Sequence, residues 1–162
     1  MSSPQAIPVP EASGAATVAL RFEVAVIPVS DVDRAKAFYY GLGWRLDADF
    51  PVSESYRVVQ FTPPGSPASI QFGTGMTDVA PGSMKDMFLA VDNLDTAREE
   101  LSRLGADVSE VWHGRGVNAP ADQRAPGRDP DGNSYRSFAS FSDPDGNRWL
   151  LQEIKQRIPG RV

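Results

Sequence analysis

The chain has 162 residues, no cysteine, one histidine and a formal net charge of −5 from 16 basic and 21 acidic side chains. Without cysteine, disulfides, thiolate metal sites and a cysteine nucleophile are excluded, and the single imidazole of His113 excludes a zinc centre built from several histidines of one chain. The acidic balance argues against nucleic acid as a partner, because phosphate binding needs a concentrated basic face, and no window approaches the ~18 consecutive apolar residues of a membrane span.

Residues 1–18 are rich in Pro, Ala and Ser and lack a basic segment followed by an apolar run, so they read as a flexible tail on a cytoplasmic protein. A first module is expected over 19–78. It opens with the apolar run Val24–Val29, followed by Asp31 as a helix cap and by a helix over 32–41 with Val32, Ala35, Phe38 and Tyr39 on one face. Gly43 ends that helix, supplying the left-handed residue that a C′ position favours. Strands are expected at 44–47, 56–62 and 68–73, the last two joined by the turn Pro63-Pro64-Gly65-Ser66. A second module over 79–157 repeats the plan: strand 87–91, a helix over 94–104 carrying Leu94, Ala97, Leu101 and Leu104, then Gly105 and strands at 107–112, 135–141 and 148–153. A long irregular loop, 113–134, separates the second and third of these strands.

The two modules echo each other in sequence. Val29-Ser30-Asp31-Val32-Asp33-Arg34-Ala35-Lys36 lies over Val91-Asp92-Asn93-Leu94-Asp95-Thr96-Ala97-Arg98 at an offset of 62 residues, and the same register places Leu42-Gly43 on Leu104-Gly105. Each half is therefore a βαβββ unit. Two such units form an α+β domain whose curved sheet carries helices on its outer face and leaves the other face free to line a cavity.

The run Pro28 to Tyr39, the repeat, and Phe141-Ser142-Asp143-Pro144-Asp145-Gly146-Asn147 leading into a last strand resemble the vicinal oxygen chelate superfamily of glyoxalases, bleomycin-resistance proteins and extradiol dioxygenases, over about residues 20–155. The resemblance implies a cup-shaped sheet and commonly a homodimer. It also implies a divalent metal held by His or Glu at equivalent positions of four cup strands. Those positions fall here on Val24, Gln71, Asp86 and Leu150. Two cannot ligate and one is an amide, whereas a catalytic metal needs about three protein ligands, so no metal cofactor is expected.

By strand alternation the cup lining should include Val24, Val26, Gln71, Asp86, Phe88, Leu150 and Gln152. Such a surface suits a small, partly hydrophobic or aromatic organic molecule oriented by a few polar groups. Asp86 has three readings: a general base with a raised pKa if buried beside Val24 and Leu150, a polar anchor for a ligand, or a solvent-exposed residue beside Lys85. The long loop brings His113, Arg115 and Arg128 within reach as a lid, with the arginines suited to a carboxylate or phosphate. Asp129-Pro130-Asp131-Gly132-Asn133 lacks the spaced downstream Glu of a calcium loop, and it and the similar run at 143–147 read as turns. The alternatives to ligand binding are an isomerase, lyase, hydrolase or dioxygenase using Asp86 with His113 or Gln71 or a non-standard metal site, and a dimer whose cup is filled by its own side chains.

Overall fold

The computed structural model describes residues 7–8, 10, 14, 16–114 and 120–161. In chain order it contains β1 (Val24–Val26), α1 (Val32–Gly41), β2 (Arg45–Ser53), β3 (Tyr56–Thr62), β4 (Ser69–Thr74), β5 (Met87–Val91), α2 (Leu94–Arg103), β6 (Trp112–Gly114), a 3-10 turn (Ala121–Gln123), β7 (Arg124–Pro126), β8 (Ser137–Ser142) and β9 (Arg148–Glu153). Among the described residues no helix is long and apolar enough to cross a membrane.

Both helices start and stop where their caps require. The Asp31 carboxylate accepts from the Arg34 N–H at 3.0 Å and the Asn93 side chain from the Thr96 N–H at 3.0 Å, satisfying N–H groups that have no partner within the helix. Just beyond the last turns, Gly43 and Gly105 take φ values of 78° and 104°, which residues with a Cβ rarely adopt.

The first sheet has strand order β1-β4-β3-β2 and the second β5-β9-β8-β6-β7; in each, the leading strand runs parallel to the last strand of its module and the remaining pairs are antiparallel. The two halves share one core beneath the helices. Ile27, Tyr39, Phe61 and Phe72 of the first half pack with Leu94, Phe141, Trp149 and Leu151 of the second. Tyr39 is central: its ring lies 5.7 Å from Phe72 and 6.3 Å from Trp149, centroid to centroid. Each such fully buried side chain contributes roughly 1.5–3 kcal/mol by leaving water.

Several boundaries differ from the sequence expectation, for local reasons. The first strand stops at Val26 and not Val29; Ile27 still donates to the Gln71 carbonyl at 2.8 Å, but Pro28 has no N–H to continue the ladder. The strand expected at 107–112 begins only at Trp112. Upstream, the Ser109 hydroxyl accepts from the Ser140 N–H at 2.9 Å, so a side chain takes the place of a ladder partner. Likewise β8 starts at Ser137 because Tyr135 sits at φ 70°, outside the extended region. Within the segment 113–134, β7 pairs antiparallel with β6, and Arg128 ties the segment to the buried Glu153 at 2.6 Å.

Candidate functional site

Strand register decides which side chains occupy the faces that the helices do not cover. In the first sheet the pairs Val24 with Ser69, Val26 with Gln71 and Gln71 with Gln60 place these residues together on that face. In the second, Phe88 pairs with Leu150 and Leu150 with Ser140, while Ala90, Gln152, Phe138 and Trp112 form the adjoining row. Of the expected lining, Val24, Val26, Gln71, Phe88, Leu150 and Gln152 therefore lie on the helix-free faces of their sheets. They differ in environment: Leu150 is 1% exposed, whereas Val26 and Phe88 are 38% and 47% exposed.

The helix-free face of the first sheet is largely polar. Gln71 Nε2 donates to Gln60 Oε1 at 2.8 Å, and the hydroxyls of Thr62 and Ser69 lie 2.7 Å apart. Thr62 also donates to the Asp47 carboxylate, which further accepts from Gln60 at 3.4 Å and from Arg45. Asp47 reaches this group because the β2–β3 register shifts between Leu46 and Ala48, a bulge that turns an extra residue toward the face. Burial pushes the Asp47 carboxyl upward, but the hydrogen bonds from Thr62, Arg45 and Gln60 outweigh it and hold the carboxyl below its ordinary value.

The matching face of the second sheet is aromatic. Trp112, Phe138 and Leu150 form a buried cluster separate from the main core, with the rings of Trp112 and Phe138 5.8 Å apart. The Arg124 guanidinium lies 4.3 Å from the centre of the Trp112 ring. Gln152 donates to the Tyr135 carbonyl at 3.3 Å.

Asp86 and His113 are not brought together. The Asp86 side chain is 54% exposed and pairs with Arg148 at 3.3 Å. His113 pairs with Ser137, on the face opposite Trp112, and its Nδ1 contacts the Gly127 carbonyl at 2.8 Å. Strands β9 and β8 stand between the two residues, about 14 Å of lateral spacing, and the rows they occupy are further offset along β8 from Ser142 to Ser137. Arg128 is paired with Glu153 at 2.6 Å. Arg115 lies outside the described residues.

The metal positions implied by the resemblance do not fit a divalent ion. Val24 and Leu150 offer no donor atom, Gln71 offers only a neutral amide oxygen, and Asp86 faces Arg148. Among the described residues no group of three or more His, Asp or Glu side chains converges.

Beside β5 lie two cavities. One, of about 330 Å³, is bounded by α2 residues Ala97, Leu101 and Leu104, by Leu89 and by the turn at Pro63–Pro67; the other, of about 240 Å³, lies among Phe22, Ala25, Ile70, Met87 and Trp149. Phe88 borders both.

Sequence reasoning missed Ser69, which alternation from Gln71 reaches, and Gln60 and Thr62, which need the register of β3 against β4. Trp112 and Phe138 fall within expected strands, but only the cross-strand register with Gln152 shows that they share the helix-free face. Asp47 carries no sequence signal, since bulges follow no simple pattern.

Comparison with known proteins matches residues 21–151 to the family described as Glyoxalase/Bleomycin resistance protein/Dioxygenase superfamily. No curated protein matches. Among solved structures, TnmS3, an antibiotic binding protein from Streptomyces sp. CB03234, is 27% identical with a TM-score of 0.61, the match covering 86% of this chain and 99% of that one. A glyoxalase/bleomycin resistance protein from the same Streptomyces strain is 29% identical over 82% of this chain and 99% of its own, with a TM-score of 0.57. A superfamily member from Sphaerobacter thermophilus DSM 20745 is 26% identical over 83% of this chain and 98% of its own, with a TM-score of 0.59. With its two βαβββ modules and a family match spanning most of its length, the chain belongs to the glyoxalase/bleomycin resistance protein/dioxygenase superfamily.

Proposed function

We propose that this protein binds a small, partly hydrophobic or aromatic organic molecule in the cup, without the divalent metal usual in the superfamily and without transforming it. The observation that carries this reading is the character of the two helix-free faces: one carries the buried cluster of Trp112, Phe138 and Leu150, the other the amides and hydroxyls of Gln60, Gln71, Thr62 and Ser69. Apolar walls with a few fixed polar groups hold and orient a ligand. Chemistry needs an acid, base or nucleophile poised within reach of the ligand, and the separation of Asp86 from His113 supplies no such pair.

The likeness to TnmS3 makes antibiotics the first ligand class to test. A second copy of the chain closes the cup. Val26 and Phe88 leave apolar surface exposed next to β1 and β5, which are edge strands of their sheets. The test is a thermal-shift screen of chelator-treated protein against aromatic antibiotics, with sedimentation equilibrium to give the mass. A rise in Tm with a hit, lost in Phe88→Asp, together with twice the chain mass, supports the reading. Turnover of a hit by the metal-free protein, or no hit and a monomer, contradicts it.

A further inference from the structure

Trp112 has an anomaly that its neighbours lack. The residue is 7% exposed, yet its indole N–H finds no hydrogen-bond acceptor among the described residues. The contrast is Trp149, whose indole N–H donates to the Tyr39 hydroxyl at 3.0 Å. A buried donor without an acceptor is costly, and in a folded protein it marks a place where water or a ligand supplies the acceptor.

The surroundings narrow the choice. Trp112 stands in the row of Phe138 and Gln152 on the helix-free face of the second sheet. Its ring already has close neighbours, Phe138 at 5.8 Å between centroids and the Arg124 guanidinium at 4.3 Å. A ligand therefore meets Trp112 through the N–H in the plane of the ring and not by stacking on it. The indole is a donor only, so the atom it meets must be an acceptor. Phe138 and Leu150 cluster with it as apolar neighbours, and Gln152 stands beyond Phe138 in the same row.

We propose that the Trp112 N–H is the specificity-determining donor of the cup, selecting aromatic ligands that carry a carbonyl-type acceptor over equally large hydrocarbons. This rests on the ligand-binding reading above and adds the chemical class that the site prefers. A site built to hydrogen-bond a ligand discriminates strongly against an analogue that leaves the site's own group unpaired.

The experiment uses two probes that differ by one oxygen, 9-fluorenone-2-carboxylate and fluorene-2-carboxylate, titrated calorimetrically into chelator-treated full-length protein and into Trp112→Phe. The expected result is about tenfold tighter binding of the ketone by the wild type, falling to within about twofold in the variant, the change that one hydrogen bond produces. Should Trp112→Phe fold poorly, the wild type alone decides by NMR. The indole N–H resonance that shows NOEs to Phe138 must move downfield with the ketone and not with the hydrocarbon. Equal affinities for the two probes, or a preference that survives in Trp112→Phe, overturn the proposal while leaving ligand binding intact. If neither probe binds, the proposal falls together with the reading it rests on.

Discussion

The hydroxyl of Tyr39 in α1 donates to the carboxylate of Asp143 in the turn before β9 at 3.0 Å, joining two halves of the molecule across 104 residues of chain. The same oxygen accepts the indole N–H of Trp149, and Asn147 from that turn donates to the Pro28 carbonyl at 2.8 Å. Burial first, and then the Asp143 charge, hold the Tyr39 hydroxyl well above its ordinary pKa, so it stays a donor at any physiological pH. Tyr39→Phe strands a buried indole donor and removes one partner of a buried carboxylate. The expected loss is about 1–3 kcal/mol, read as a lower urea midpoint. An unchanged midpoint would show that the two modules are held together without this contact.

Acid sensitivity should concentrate at Glu153. Its burial works upward on the carboxyl, but the Arg128 guanidinium, the Leu94 N–H and Lys155 together hold it below the ordinary value of 4.5. A depressed carboxyl stabilises the fold above its unfolded pKa, and that contribution disappears as pH falls through the lower folded value. Wild-type stability should therefore decline below about pH 4.5, with slope up to ~1.4 kcal/mol per pH unit for each proton taken up on unfolding. In Glu153→Gln the decline should be shallower. Asp49, lowered by hydrogen bonds from Arg57 and Lys36, retains part of it. Urea midpoints measured from pH 7 to pH 3 check this, and parallel profiles for the two proteins would refute it.

Asp86→Asn separates binding from catalysis. The half-exposed pair with Arg148 is worth at most about 1 kcal/mol, so stability should scarcely change, and ligand affinity should shift by less than about threefold. A reaction of wild-type protein that slowed by about 100-fold in Asp86→Asn would establish Asp86 as a base and overturn the binding reading.

Gln71→Leu tests the polar face. It removes the donor from Gln60 Oε1 at a half-buried site, where the lost hydrogen bond costs about 1 kcal/mol of stability. Affinity for a ligand that depends on the amide pair should fall by about five- to tenfold in calorimetry. Unaltered affinity would place the ligand's polar contacts elsewhere.

The architecture was readable because it rests on local chemistry. The helix from Val32 to Gly41 and the strands Tyr56–Thr62, Met87–Val91 and Arg148–Glu153 lie where apolar period, caps and turns put them. Less was readable of the site. Alternation put Val26, Gln71, Phe88 and Leu150 on one face of their strands, and the register puts them on the helix-free faces; for Asp86 it left burial and exposure both open, and the pairing with Arg148 depends on β5 meeting the start of β9. Asp47 depends on a bulge and Trp112 on where a strand resumes after Ser109 replaces a ladder partner. Such features arise from tertiary pairing, which periodicity does not encode.

The most direct test of metal-free binding is a titration of the best screening hit into chelator-treated protein, with metal content verified by elemental analysis, repeated after loading with Mn²⁺, Fe²⁺, Ni²⁺ or Zn²⁺ and desalting. The account predicts the same affinity in every preparation and far less than one retained ion per chain. Binding that appears only when about one ion per chain is held would contradict it, and would require metal ligands other than Val24, Gln71, Asp86 and Leu150.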